Sequence, residues 1–203
     1  MQEPAARIDG RAARAVRTRH AIVDACIALV EEGDLRPTAP RIAERAGVSV
    51  RSVFQHFDDL PALHTAMTQR VFERLAVLLV PVDPALPFDA RLATFVRHRT
   101  ALLEAVTPFR RAALVHGPFA PEIRHATVEG SAFLRREVEA VFAPELAAVA
   151  DDDRRQVVDA LAATSSWPMW DTLRSEAGDS PDQARAVVVR ILRAVLTGAV
   201  DRS

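Results

Sequence analysis

The alternation of apolar and polar positions is helical along the whole chain. Between residues 12 and 32, Ile22, Ala25, Cys26, Leu29 and Val30 recur at the i, i+3, i+4, i+7, i+8 spacing of one helix face. Gly33 stands where a left-handed residue stops such a helix. A short helix is expected over about 39–46, with Thr38 at its N-cap and Pro40 in its first turn. A second runs from Ser49 or Val50 to about Phe57. Asp58 and Asp59 can cap a longer fourth helix, with apolar positions at Leu60, Leu63, Met67, Val71, Leu75 and Leu78. Pro81, Pro84 and Pro87 then break helical continuity, because each removes a backbone donor and fixes φ. This is the main linker candidate. Beyond it the pattern predicts helices at about 88–106, 108–116, 121–142, 152–176 and 181–200. Ser180-Pro181-Asp182-Gln183 is a start signal, with Ser at the N-cap, Pro at N1 and Gln at N3. Pro168, in Trp167-Pro168-Met169-Trp170, forfeits the bond to the Thr164 carbonyl, so the 152–176 helix kinks or ends there. Strand alternation, internal repeats and low-complexity tracts are not evident. The fold class is therefore all-α, about nine helices, the first four short and tightly connected and the rest a larger bundle.

Composition narrows the picture. A chain of 203 residues forms one large domain or two small ones and can bury a sizeable core without staples. One cysteine excludes a disulfide framework and fits a reducing cytosol. On the apolar stripe, Cys26 reads as a buried small hydrophobe. No apolar run approaches the roughly 20 residues that span a bilayer. The N-terminal arginines lack an adjacent apolar region, so no secretory signal is expected and the expected location is cytoplasmic. Lysine, asparagine and tyrosine are all missing, a codon bias of G+C-rich genomes, so an arginine is not by itself a chemical choice.

The net charge of −1 argues weakly against a nucleic-acid partner until it is resolved along the chain. Residues 1–19 carry five arginines (Arg7, Arg11, Arg14, Arg17 and Arg19) against two acids, and residues 36–56 carry four against Glu44. Residues 145–182 carry nine acids against three arginines. The mean hides a basic N-terminal part and an acidic distal part. The arginine tail is either a solubilising tail or, if helical, an element that tracks a phosphate backbone or reaches a minor groove.

Residues 38–57 carry the functional signal. Two short helices joined by a tight turn at Gly47 have the layout of a helix-turn-helix, and equally of an ordinary αα-hairpin. Ile42, Ala43 and Ala46 face inward on the first helix; Val48, Val53 and Phe57 anchor the second. Val50, Arg51, Ser52, Phe54 and Gln55 are left outward, where a helix-turn-helix enters the major groove.

The stretch from about Arg17 to Leu63 resembles the TetR family of transcriptional repressors. The matching residues are Ile22-x-x-Ala25, Glu32-Gly33, Ile42-Ala43-x-x-Ala46-Gly47-Val48-Ser49, Phe54-x-His56-Phe57 and Leu63. The resemblance implies a DNA-binding domain over 1–62 and a helical ligand-binding and dimerisation domain over 63–203. It implies a homodimer, paired through the last two long helices, on a palindromic operator of double-stranded DNA. Candidate DNA contacts are Thr38, Arg41, Ser49, Arg51, Ser52, Phe54, Gln55 and His56. Arg51 suits bidentate recognition of guanine, and touching a phosphate is its other reading. His56 either donates to a phosphate or packs between helices. Arg45 reads as a solvated face residue. Two departures stand out. The family usually has Tyr at Phe54, whose hydroxyl meets a phosphate, and often Lys at Leu60. They keep open a second reading, a helical protein–protein interaction module that has lost DNA binding.

Nothing after residue 80 forms a catalytic set, a phosphate loop or a metal-ligand pattern, so no enzyme activity, cofactor or metal is expected. By resemblance, a small apolar or aromatic molecule sits among the middle helices and releases the DNA. Candidate lining residues are Met67, Phe95, His98, Leu102, Phe133, Trp167 and Trp170, and Arg99 or Arg110 would pair with an anionic group. Taken singly, each of these apolar residues reads first as a plain core position.

Overall fold

The computed structural model describes residues 5–116 and 121–200. They form ten α-helices and, among the described residues, no strand. The helices are α1 (Ala5–Glu31), α2 (Ala39–Ala46), α3 (Val50–His56), α4 (Leu60–Leu75), α5 (Phe88–His116), α6 (Pro121–Val141), α7 (Ala143–Ala147), α8 (Asp151–Thr164), α9 (Trp167–Asp171) and α10 (Pro181–Val200). No helix among the described residues is long and apolar enough to cross a membrane.

The chain divides into two compact units. The first takes residues up to Arg74 together with Pro108–Arg124; the second takes Leu75–Thr107 and the chain from His125 onward. The first unit is built on the apolar face of α1. Ile22, Cys26, Ile27 and Val30 are buried, as are Ile42 and Ala43 of α2, Val53 of α3, and Leu63 and Met67 of α4. Asp24 ties α1 to α4 through Arg74, at 2.7 Å. The second unit buries α5, α6, α8 and α10 around Leu92, Phe95, Val138, Phe142, Leu161, Trp170 and Leu192. Phe95 and Phe142 meet edge to face, their centroids 5.2 Å apart.

Several helix ends follow the expected chemistry. At Gly33 the backbone turns left-handed (φ 96°), and the Asp34 N–H donates to the Leu29 carbonyl at 2.9 Å, closing α1. Asp59 accepts from the Ala62 N–H at 2.8 Å and caps α4. Ser180 and Gln183 form a reciprocal capping box. The Ser180 N–H donates to Gln183 Oε1 at 2.8 Å and the Gln183 N–H to Ser180 Oγ at 3.3 Å.

Four boundaries differ from the sequence pattern. The first helix begins at Ala5 rather than near residue 12. The expected segments 88–106 and 108–116 are one helix running through Pro108. The Thr107 hydroxyl there donates to the Leu103 carbonyl at 2.7 Å, adding a bond beside the one proline cannot make. A short helix, α7, follows α6, with Pro144 in its first turn. The expected helix 152–176 stops at Thr164 and restarts at Trp167, which puts Pro168 in a first turn where it needs no donor. Pro168 therefore opens a helix rather than kinking one.

Candidate nucleic-acid interface

The α2–α3 pair rests on two local devices. At Gly47 the chain turns left-handed (φ 67°, ψ 32°). Its N–H donates to the Glu44 carbonyl at 3.1 Å, and the Val48 N–H to the Ala43 carbonyl at 2.9 Å. A Cβ there would meet nothing within 4 Å, so the turn asks for glycine on dihedral grounds, not steric ones. Ser49 then caps α3, its Oγ accepting the Ser52 N–H at 3.1 Å. Val53 and Phe57 lie on the buried side, which turns the opposite face of α3 outward.

That outward face carries Arg51, Phe54 and Gln55, all exposed, with Ser52 and His56 half-buried at its edges. Phe54 keeps 49% of its surface accessible, a large apolar side chain that its own fold covers only by half. Arg51 has no carboxylate partner among the described residues. The arginines of α2 differ: Arg41 pairs with Asp34 at 2.5 Å, and Arg45 grips both oxygens of Glu32. The Arg45 hydrogen bond holds the Glu32 carboxyl below its ordinary range. Thr38 occupies the N-cap of α2 but its side chain makes no cap bond, and it is exposed.

The two acidic partners and one stack are not visible in the motif. Arg19 lies over the ring of Phe57, its guanidinium carbon 4.5 Å from the centroid, and so joins α1 to the end of α3. An arginine three residues ahead of an apolar stripe, with an aromatic at the end of the recognition-type helix, is the local hint of it.

The residues expected to line a ligand site are placed as follows. Met67 is buried in the first unit, with the Cys26 thiol 3.6 Å from its sulfur. The others belong to the second unit. Phe95 is fully buried in the core, His98 and Leu102 are half-buried on the same helix, and Phe133 on α6 is 43% exposed. His98 Nδ1 lies 3.2 Å from the Val80 carbonyl, which requires a proton on that nitrogen. Trp167 and Trp170 are buried and meet α5. Their indole N–H groups donate to Thr107 Oγ1 at 3.1 Å and Glu104 Oε2 at 2.7 Å. Arg174 also donates to Glu104, at 3.0 Å. Arg99 is buried and already engaged. It donates to the Ser165 carbonyl (3.0 Å), the Leu134 carbonyl (2.9 Å) and Glu137 (2.8 Å), and stacks on Phe95. Burial pulls its pKa down and Glu137 opposes that pull. Among the residues whose side chains are described, no group of His, Cys, Asp and Glu forms a metal site.

Solved structures share this architecture. A transcriptional regulator from Rhodococcus sp. superposes with a TM-score of 0.63 at 19% identity, covering 92% of this chain and 97% of its own. A protein assigned to the TetR family of transcriptional regulators, from Mesorhizobium loti, gives 0.68 at 19% identity, covering 91% and 98%. A multidrug binding protein, EbrR, complexed with imidazole, gives 0.56 at 19% identity, covering 85% and 93%. No family model and no curated protein matches the sequence. The chain thus has the all-helical fold of transcriptional regulators, and within that class the fold of the TetR-family regulators.

Proposed function

We propose that the chain is a TetR-type transcriptional regulator that binds a palindromic operator as a homodimer and represses until a small apolar or aromatic molecule releases it. The observation that carries this reading is the outward face of α3. A capped, turn-anchored helix presents an unpaired arginine, a glutamine and a half-exposed phenylalanine together. That combination suits base edges and the sugar–phosphate wall of a major groove. Residues 1–62 would hold the DNA; residues 63–203 would hold the ligand and the second chain. Thr38 and Arg41 at the start of α2, with Ser49 and His56 at the two ends of α3, would fix its register on phosphates. The multidrug-binding neighbour of the same fold supports a small-molecule signal. The pair α8 and α10 supplies the dimer face. Regulation then needs only a ligand that changes the separation of two recognition helices, roughly 34–36 Å apart on adjacent half-sites. The test is a footprint on the intergenic DNA beside the gene. A protected, two-fold symmetric site that is lost at high salt supports the reading. Uniform cleavage at protein concentrations up to the micromolar range refutes it.

A further inference from the structure

We propose that the N-terminal part of α1 is a preformed cationic rod that lies along DNA phosphates beside the α2–α3 pair and adds affinity without reading sequence. The inference rests on the DNA-binding reading above. The buried face of α1 begins only at Ile22. From Gly10 to Ala21 no residue is buried, although the helix is continuous. The nine residues from Gly10 to Thr18, ahead of Arg19, make a free rod about 14 Å long at 1.5 Å each. Ala12, Ala13 and Ala15 favour the helix on propensity alone.

Within this rod Arg11, Arg14 and Arg17 are exposed, and none has a carboxylate partner among the described residues. Residues 10–21 contain no acid at all. The ion pairs elsewhere in the first unit show that the chain has acids to spend on arginines, as at Asp24, Glu32 and Asp34. Here it spends none. Arg19 behaves differently and marks where the rod starts. Its stack on Phe57 places the free segment beside the C-terminal end of α3, on the unit that carries Arg51. Arg7 belongs to the same run but its side chain lies outside the described residues.

An unpaired cationic helix beside a groove-reading helix calls for a polyanion. A lipid surface fits poorly, because a membrane-binding helix needs a bulky apolar face and the only bulky apolar residue between 10 and 21 is Val16. Helical form also chooses between two ways of meeting DNA. A helix with side chains is about 10–12 Å across, against a minor groove about 6 Å wide, so the rod cannot enter it. Contact with phosphates remains.

The full-length variant Arg11→Gln/Arg14→Gln/Arg17→Gln removes charge while keeping length and helix propensity. Binding is titrated between 50 and 200 mM KCl on two probes, a duplex from the upstream region and a scrambled duplex of the same composition. Three phosphate contacts contribute about 2.7 to the slope of log affinity against log salt. The variant therefore loses about 40-fold less affinity across that range for each chain bound. It also binds both duplexes more weakly at 50 mM, one as much as the other, so discrimination between them is unchanged. Unchanged thermal melting by circular dichroism shows that the fold is intact. Equal salt slopes for variant and wild type overturn the proposal alone. A loss confined to the upstream duplex also overturns it, because the arginines would then read sequence. Wild-type protein that binds neither duplex at 50 mM overturns the DNA reading as well. Equal slopes, with binding to phosphatidylserine vesicles that the variant lacks, assign the rod to a membrane.

Discussion

Arg51 is set apart from its neighbours by what does not touch it. Arg41 and Arg45 must release Asp34 and Glu32 before they can meet a phosphate, whereas Arg51 is exposed and unpaired among the described residues. Its fork is free for the two acceptors of a guanine edge. Arg51→Ala should weaken operator binding by about 1–3 kcal/mol and relax selectivity at one base pair. Equal affinity of the variant for operator and for a base-substituted operator, with wild type discriminating, is the expected pattern in competition gel shifts. Arg99 is the opposite case, an arginine whose two terminal nitrogens are both engaged by its own fold. Removing it takes the cation from Glu137 and a donor from the Ser165 carbonyl, and breaking a buried pair costs up to about 3–5 kcal/mol. Urea denaturation of Arg99→Met should show that loss; an unchanged midpoint would refute the network. Cys26 offers a chemical check on the first unit. Burial, with a smaller push from Asp34, raises its thiol to about 12. Native protein at pH 8 should leave a disulfide reagent unreacted until denaturant is added. Since the folded value lies above the unfolded one, this burial favours the native chain below about pH 9, and the advantage fades as pH climbs toward 12.

At the level of elements, what was legible in the sequence is what is decided locally. Gly33, Gly47, Ser49, Asp59 and the Ser180–Gln183 box each act within five residues of themselves, and each ends or starts a helix where the residue type says it should. Ser180→Ala should therefore cost about 1 kcal/mol in thermal or urea unfolding, with Ser180→Thr largely restoring it. Gly47→Ala should cost about 1–2 kcal/mol from the left-handed backbone alone, since no neighbour blocks the added methyl. The break between α8 and α9 was legible only as a kink or an end at Pro168; its place was not, for the converse reason. Leu161, Thr164, Ser165 and Trp167 are all buried, so the buried face runs straight across the break. What holds the Ser165 carbonyl is Arg99, from a helix 66 residues away. The same applies to the site. The α2–α3 motif is short-range and could be read residue by residue. The partners Asp34 and Glu32, and the Arg19–Phe57 stack, depend on how α1 packs.

The whole molecule poses the question of a second chain. α10 buries Ala184, Val188, Leu192, Leu196 and Ala199 in its own unit. Its other side carries an open surface patch of Ala186, Val189, Arg190 and Arg193, with Arg185 and Asp182 at its start. Val187, Val189, Ile191 and Val195 are only half-buried, so the apolar surface of the helix is wider than one chain covers. In a two-fold pairing the same patch meets itself, so every substitution in it counts twice. The proposed dimer predicts a light-scattering mass of about twice the 22.2 kDa chain. Ala186→Arg places a new cation one turn before Arg190, at an exposed position where a lone chain has no reason to resist it. It should therefore leave thermal stability of the single chain intact while driving the mass toward one chain. Operator affinity should fall with the loss of the second half-site, and weak binding to scrambled duplex should change little, because each chain keeps its own arginines. A wild-type mass of one chain at every concentration would refute the pairing. A variant that remains dimeric at low micromolar concentration would move the interface away from α10.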